Sequence, residues 1–147
     1  MTVFTFLIFL IVLVPAAYFI HELGHAVAAL LCRYQDIVVS IGVGKRLVAL
    51  RNERLGIHFY FVGFIGAHTS YQGESNHRYS RAFVAIGGPV FSAIAAYVSS
   101  KLGQHDLIRL WTYFHMWLAV TNLIPIQIRG KETDGYVFLK MFLKRGV

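Results

Sequence analysis

The segment His21-Glu22-Leu23-Gly24-His25 carries the side chains of this chain that are best suited to chemistry. Residues four apart share one face of a helix, so His21 and His25 can point two imidazoles at one cation. Glu22 is offset by one position and can reach a water at that cation without being a ligand. A Zn²⁺ ion lowers the pKa of its water to about 7, and a glutamate can take the proton as hydroxide attacks a carbonyl. The pattern therefore indicates metal-assisted hydrolysis of a peptide bond.

The location of these three side chains strengthens the metal interpretation. They follow an apolar stretch, Val3 to Ile20, in which only Thr5 and Tyr18 carry polar side-chain groups. An ionisable group at the centre of a membrane helix costs roughly 2.5–3.5 kcal/mol on insertion scales. A bound metal ion would compensate for placing three such groups together. The alternative is a helix end at which the same side chains are merely solvated by interfacial water.

A catalytic zinc usually has three protein ligands and one open position, so a third ligand must come from elsewhere in the chain. Asp134, in the segment Thr133-Asp134-Gly135, is the best candidate. An Asp-Gly pair is also a very common turn, and the residues alone leave both interpretations open. With Asp134 included, the sequence predicts one Zn²⁺ per chain.

Three apolar runs predict the helices that must position these groups. They span Val3–Leu31, Ala82–Val98 and Leu107–Ile126. The first would be about 43 Å long, which is enough to cross a bilayer. Hydrophobic residues make up 56% of the chain and charged residues only 14%, against about 25% charged in a typical soluble protein. Lipid is therefore expected to cover part of the surface.

The segment between the first two runs predicts strands. Ile37–Val43 and Ile57–Phe64 are rich in β-branched and aromatic residues, and Leu47–Leu50 could add a shorter strand. His68–Arg81 is expected to be a polar loop, and Gly135–Lys144 a short amphipathic helix. The predicted fold is an α-helical integral membrane protein, with three core transmembrane helices and a small membrane-associated antiparallel sheet between the first two. Residues 1–147 would form a single membrane-embedded domain.

The basic residues predict the orientation in the membrane. Of the 14 Lys and Arg residues, seven fall in 33–81 and five in 129–145, whereas Lys101 and Arg109 are the two on the other side. Such residues are enriched in cytoplasmic loops, so we expect a multi-pass protein with its N-terminus outside and its C-terminus cytoplasmic. A prokaryotic cell membrane is the expected location. Because topology explains the net charge of +7, no nucleic-acid partner is expected.

Several motifs stand in the order found in the site-2 protease family of intramembrane metalloproteases, which the chain resembles. His21–His25 ends the first core helix, and Gly42–Lys45 is similar to a glycine-bearing strand segment of the family. Gly88–Ser92 resembles its Gly-Pro-x-x-Asn segment. Asn122–Pro125, followed by Asp134-Gly135, resembles its Asn-Leu-x-Pro…Asp-Gly motif. These motifs cover nearly the whole chain.

The resemblance implies a three-helix core, zinc held by His21, His25 and Asp134, and catalysis by Glu22. It also implies that Asn122 lies near the zinc and donates a hydrogen bond to the oxyanion; the alternative is an interhelical hydrogen bond, worth about 0.6 kcal/mol. Two features depart from the family pattern. Ser92 stands where the family often has Asn, and the stretch from Asn122 to Asp134 is longer than in many members. An inserted peptide-binding domain is not expected, which would make the chain a minimal core.

The predicted function is hydrolysis of a peptide bond in or near a transmembrane segment, as in regulated intramembrane proteolysis. The expected partners are a membrane-protein substrate and the lipid bilayer. A regulatory membrane partner or a homo-oligomer is a further possibility. Ile57–Phe64 is the predicted edge strand for an unwound substrate. One alternative is a zinc-binding membrane scaffold or chaperone without proteolytic activity. Another is a soluble-type zinc protease on a signal anchor.

Overall fold

Long helices and one long β-hairpin make up most of the described chain, which comprises residues 2–73, 79–103, 105–128 and 130–143 of a computed structural model. In chain order the elements are α1 (Val3–Ile8), a π-helical turn (Phe9–Leu13), α2 (Val14–Leu31), β1 (Gln35–Arg51), β2 (Leu55–Gln72), α3 (Ser80–Ser100), α4 (Asp106–Leu123), β3 (Gln127–Ile128), β4 (Lys131–Glu132) and α5 (Asp134–Leu143). α5 matches the predicted amphipathic helix as far as Leu143, and Lys144 lies outside the described residues.

The first helical segment is continuous over Val3–Leu31 and contains 29 residues. Pro15 has no N–H group, so it cannot continue the regular hydrogen-bond ladder of the helix. The chain widens into a π-helical turn just before it, where the N–H of Val14 bonds to the carbonyl of Phe9. The π turn absorbs the proline without ending the helix, and the His-Glu-x-x-His segment follows in the same helix.

Two of the described helices are long and apolar enough to cross a membrane, namely Val3–Leu31 and Ser80–Ser100. α4 has 18 residues but is less apolar, because it includes Asp106, Arg109 and Asn122. The predicted helices are therefore present, and the third transmembrane crossing stays a prediction. Large apolar side chains lie exposed along the first segment, with 78% of Val3 and 72% of Phe4 accessible. A surface of this kind is suited to lipid.

Glycines bring α2 and α3 into close contact. A Cβ atom added to Gly24 or to Gly87 would overlap the carbonyl oxygen of the other residue. Small residues at such a crossing let helix backbones approach closely in a membrane. On the far side of α3, the hydroxyls of Ser99 and Thr112 lie 2.8 Å apart and connect α3 to α4. α3 is therefore held between α2 and α4, and the histidines of α2 face it.

The hairpin folds back on itself, so that four stretches lie side by side. Residues 38–41 of β1 pair with 67–70 of β2 on one side and with 56–59 on the other, and 56–59 also pair with 48–51. The predicted antiparallel sheet is therefore present, with longer strands than expected. β2 continues to Gln72, so the start of the predicted polar loop at His68 was wrong; residues 74–78 of that loop lie outside the described chain.

The prediction that Ile57–Phe64 forms the edge of the sheet was also wrong. Its first residues are paired on both sides, with Ile57 opposite Val39 on one side and opposite Leu50 on the other. Residues 67–70 pair on one side only within the described chain. Sequence composition could not reveal this difference, because the order of stretches in a sheet depends on how the hairpin folds back. The edge nearest to α2 is therefore the end of β2.

The core lies where α2, α3 and the start of β1 meet. Ile37, Val39 and Ile41 are fully buried there and pack with Val84 and with the small residues of α2, Ala26, Ala28 and Ala29. Side chains alternate along a strand, so these three residues point to the same face. Packing of that face against α2 fixes the sheet beside the helix that carries the histidines.

Candidate metal and catalytic site

Three ligand atoms from two distant segments converge at the junction of α2 and α5. The Nε2 atoms of His21 and His25 lie 3.3 Å apart. Oδ2 of Asp134 lies 3.3 Å from Nε2 of His21 and 3.4 Å from Nε2 of His25. The three atoms form a nearly equilateral triangle. Two of the residues come from one face of α2, and the third is the first residue of α5.

The triangle has the dimensions of one face of a tetrahedral zinc site. Ligands about 2.0–2.1 Å from a tetrahedral zinc are separated from one another by about 3.3–3.4 Å. Within the described residues, Oδ2 of Asp134 is buried and has no hydrogen-bond donor. A buried oxygen without a donor, facing two imidazole nitrogens, is an arrangement that a bound cation would satisfy. The residues present therefore fit a Zn²⁺ ion with two nitrogen ligands and one oxygen ligand.

Residues of α3 contact the Nδ1 atoms of both imidazoles, on the side of each ring away from the triangle. Nδ1 of His25 donates to the carbonyl of Val84 at 2.8 Å, and Nδ1 of His21 lies 2.9 Å from Oγ of Ser92. A carbonyl only accepts hydrogen bonds, so the short contact with Val84 assigns the proton of His25 to Nδ1 and leaves Nε2 free to act as a ligand. The N–H of Gly88 also points at Nδ1, but at the longer distance of 3.3 Å. The Ser92 hydroxyl can hold His21 in the same tautomer. Hydrogen bonds of this kind, to the ring nitrogen that does not face the metal, orient histidine ligands.

Ser92 therefore makes a contact with the candidate site that its position in the motif did not reveal. Its side chain is fully buried, with an accessible fraction of 0%, and lies between α2 and α3. A serine hydroxyl can accept a hydrogen bond from an imidazole as an asparagine carbonyl can. The substitution of Ser for Asn in the Gly-Pro-x-x-Asn pattern is therefore compatible with support of the histidine.

The space beside the two imidazoles requires a glycine at position 88 of α3. A Cβ atom at this position would overlap Nε2 of His25 and would lie 2.7 Å from Nε2 of His21. At this position α3 therefore presents only its backbone to the triangle. The sequence Gly87-Gly88-Pro89 is unfavourable in an apolar helix. The space that the two imidazoles need is a physical reason for the glycine at position 88.

Glu22 lies beside the triangle and is held by a residue of the sheet. Its side chain is buried, with 7% accessible. The hydroxyl of Thr69 donates to Oε2 of Glu22 at 2.6 Å. Glu22 lines a cavity of about 310 Å³ together with His21, His25 and Asp134. The carboxylate expected to act as the base is thus in the same cavity as the three ligand atoms.

Thr69 is a site residue that sequence reasoning missed, since it fell in the segment assigned to a polar loop. The end of β2 supplies much of one wall of the cavity through Ala67, His68, Thr69 and Tyr71. No motif marks these residues, and the register of β2 would have been needed to find them. The free edge of the sheet therefore borders the candidate site.

Asn122 also lines this cavity. Its Nδ2 group donates to the carbonyl of Leu118, 2.9 Å away in the same helix. The interhelical hydrogen bond considered as an alternative is thus not the contact that the structure describes. An asparagine amide has a second N–H group, which keeps the oxyanion role chemically available. That role remains a prediction.

Thr133 and Gly135 place Asp134 against the histidines. The hydroxyl of Thr133 donates to the carbonyl of Ile124 at 2.7 Å and accepts from the N–H of Ile126 at 3.0 Å. Gly135 lies directly against the end of α4, where a Cβ atom would overlap the carbonyl of Leu123. Asp134 begins a helix in this arrangement, so the alternative of a simple Asp-Gly turn does not describe this segment.

Comparison with known proteins places the chain in a family. Residues 5–103 match the sequence profile of Peptidase family M50. The uncharacterized membrane protein YwmF of Bacillus subtilis (strain 168) is 28% identical over 141 residues, which cover 90% of this chain and 85% of YwmF. The matched residues include the His-Glu-x-x-His segment and α3 but end before Asp134, whose position rests on the geometry above. The resemblance to the site-2 proteases is confirmed, and this chain belongs to Peptidase family M50.

Proposed function

We propose that this protein is an intramembrane zinc metalloprotease, which hydrolyses a peptide bond in or near a transmembrane segment of another membrane protein. One observation carries the proposal. The two imidazole nitrogens and the carboxylate oxygen form a zinc-sized triangle, with Glu22 beside it in the same cavity. The helix that carries three of these four residues is long and apolar enough to cross a membrane.

Each group of site residues has a separate role in the proposed reaction. His21, His25 and Asp134 would hold one Zn²⁺ ion, which supplies Lewis acidity for the attack of water on the scissile carbonyl. Glu22 takes the proton of the attacking water and passes it to the leaving amine. Asn122 is proposed to donate its second amide N–H to the developing oxyanion. Because all of these side chains line one cavity, water and substrate need to reach only one place.

The free edge at the end of β2 is the proposed binding site for the substrate. The amides of a substrate helix are engaged in hydrogen bonds, so the segment must unwind before it can be cut. An unwound segment can add to an unpaired strand edge through main-chain hydrogen bonds. Residues 67–70 offer such an edge, because within the described chain they pair only with 38–41. This stretch takes the place of Ile57–Phe64 in the initial prediction.

The alternative of a silent zinc-binding scaffold gains no support from the geometry. A scaffold needs the three ligands but not a carboxylate beside them. Here Glu22 is buried, is fixed by Thr69 and shares the cavity with the ligands, as a catalytic base requires.

Metal content and cleavage together test the proposed function. Purified in detergent, the parent chain should hold about one zinc per chain, and His21→Ala and Asp134→Ala should each lose most of it. The parent should cleave at least one of a panel of co-expressed single-span membrane proteins tagged at both ends, and chelation should stop the cleavage. Full zinc and full cleavage in Asp134→Ala would contradict the third ligand. A zinc-loaded parent that captures panel proteins intact would favour the scaffold.

The orientation in the membrane is proposed from the distribution of basic residues. A reporter fused after Val147 should be cytoplasmic, and one fused before Met1 should be external, because twelve of the 14 Lys and Arg residues then lie on the cytoplasmic side. Accessibility of the two reporters to a membrane-impermeant reagent provides the measurement. Two reporters on the same side would mean an even number of crossings and would remove α4 as a transmembrane helix.

A further inference from the structure

Thr69 contacts Glu22 twice, although the two residues are 47 positions apart in the sequence. Its hydroxyl oxygen lies 2.6 Å from Oε2 of Glu22 and 3.1 Å from the main-chain oxygen of the same residue. Thr69 is half-buried in the wall of the cavity and belongs to the free edge of the sheet. One hydroxyl on the proposed substrate-binding strand thus contacts both the side chain and the backbone of the proposed base.

We propose that Thr69 is the positioning residue of the catalytic base, and that it joins the substrate-binding edge to Glu22. The inference rests on the proposed protease function and assigns a role that no motif in the chain indicates. Thr69 acts through Glu22 and is not itself expected to touch the reacting atoms.

The geometry shows why the base needs an external support. A glutamate has three rotatable side-chain bonds, and the backbone of α2 alone does not select the direction of its carboxylate. A short hydrogen bond to an ionised oxygen is among the stronger ones in proteins. Threonine is branched at Cβ and stiff at χ1, so its hydroxyl is a well-fixed donor. With Oε2 held at 2.6 Å, the second carboxylate oxygen is left to take the proton of the attacking water.

The Thr69 hydroxyl has two possible acceptors on Glu22, Oε2 and the main-chain oxygen. This arrangement suits both the ionised and the protonated form of the proposed base. The hydroxyl has one proton and donates to Oε2 while Glu22 is ionised. When Glu22 has taken a proton from water on its second oxygen, Oε2 remains an acceptor, and the Thr69 hydroxyl can keep donating to it or turn its proton to the main-chain oxygen at 3.1 Å. Thr69 gains and loses no atom in this exchange. A hydroxyl can satisfy both arrangements, whereas a methyl group can satisfy neither.

The position of Thr69 in the sheet connects the base with substrate binding. Thr69 pairs with Val39 on one side of its strand, and within the described chain the other side is unpaired. Its neighbours Ala67, His68 and Tyr71 also line the cavity. A substrate segment that adds to this edge would fix the backbone that carries Thr69. Binding of substrate and orientation of the base would then depend on the same stretch of strand.

The test compares Thr69→Val, Thr69→Ser and the control Thr121→Val in the full chain. Thr121 also has a hydroxyl that bonds to a carbonyl, that of Trp117, but this hydrogen bond lies at the surface of α4. Turnover of a membrane substrate that the parent cleaves is measured together with the zinc content of each sample. We expect Thr69→Val to lower kcat by about 10–100-fold, a loss similar to that for removing a residue that orients a metal ligand, with KM and zinc unchanged. Thr69→Ser should keep kcat within about threefold of the parent, and Thr121→Val should match the parent.

The outcomes separate this inference from the function on which it rests. A parent that cleaves its substrate while Thr69→Val keeps full kcat would overturn the role of Thr69 alone. So would a Thr69→Ser protein as slow as Thr69→Val, because the hydroxyl would then not be the group that matters. Loss of zinc in Thr69→Val would make Thr69 a structural residue of the metal site instead. A zinc-loaded parent without cleavage would overturn the protease function and, with it, the role of Thr69.

Discussion

Glu22→Gln should keep the fold and the zinc of this protein and lose its cleavage activity. Gln and Glu have nearly the same shape, and the side-chain oxygen of Gln can still accept the hydrogen bond from Thr69 that Oε2 accepts in the parent. The amide cannot take a proton from water at neutral pH. Loss of a general base typically costs 10²–10⁴-fold in rate. We expect the upper end of this range, because the same carboxylate would also deliver the proton to the leaving amine.

The measurement is turnover of a membrane substrate by Glu22→Gln, with the zinc content determined on the same sample. The matched control is Glu132→Gln, because Glu132 lines the same cavity but its carboxylate pairs with Lys140. The control should lose far less activity than Glu22→Gln. Near-normal turnover by a zinc-loaded Glu22→Gln protein would refute the proposed mechanism, since no carboxylate would then remain at position 22 to act as the base.

Gly88→Ala should remove zinc binding without removing any of the three ligands. The added methyl group would overlap Nε2 of His25 and would lie 2.7 Å from Nε2 of His21, where the ligand atoms must meet the ion. Substitution of a residue that only orients a metal ligand costs about 10–100-fold in metal affinity. A group that blocks the ligand atoms themselves should cost more, and cleavage should fall together with the zinc content. Both are measured on the detergent-purified protein across a zinc titration.

Gly56→Ala is the matched control for this substitution. A Cβ atom at Gly56 would meet only ordinary neighbours, the nearest being a methyl group of Val38 at 3.4 Å. The control should keep its zinc, which separates a general intolerance of added methyl groups from blockage of the site. Parent-like zinc affinity in Gly88→Ala would show that the metal does not lie where the three ligand atoms converge.

Local sequence patterns predicted the parts of the site that lie on one helix. The spacing of His21, Glu22 and His25 needs only the periodicity of α2 to place two ligands and a base beside each other. The apolar runs predicted the long helices, because lipid-facing segments must be continuously apolar. The motif order predicted the family, which is confirmed. The individual roles of the site residues and the third crossing remain predictions.

Tertiary structure decided everything that depends on contacts between distant segments. The sequence alone left it open whether Asp134 is a metal ligand or part of a turn. Only the packing of α5 against α3 and α4 brings its carboxylate within 3.4 Å of both imidazoles. The support of Ser92 for His21 depends on how α3 crosses α2. The contact of Thr69 with Glu22 depends on how the hairpin folds back, which also determines the free edge of the sheet. Side-chain periodicity is fixed within each element, whereas the crossing of helices and the order of strands result from packing between elements.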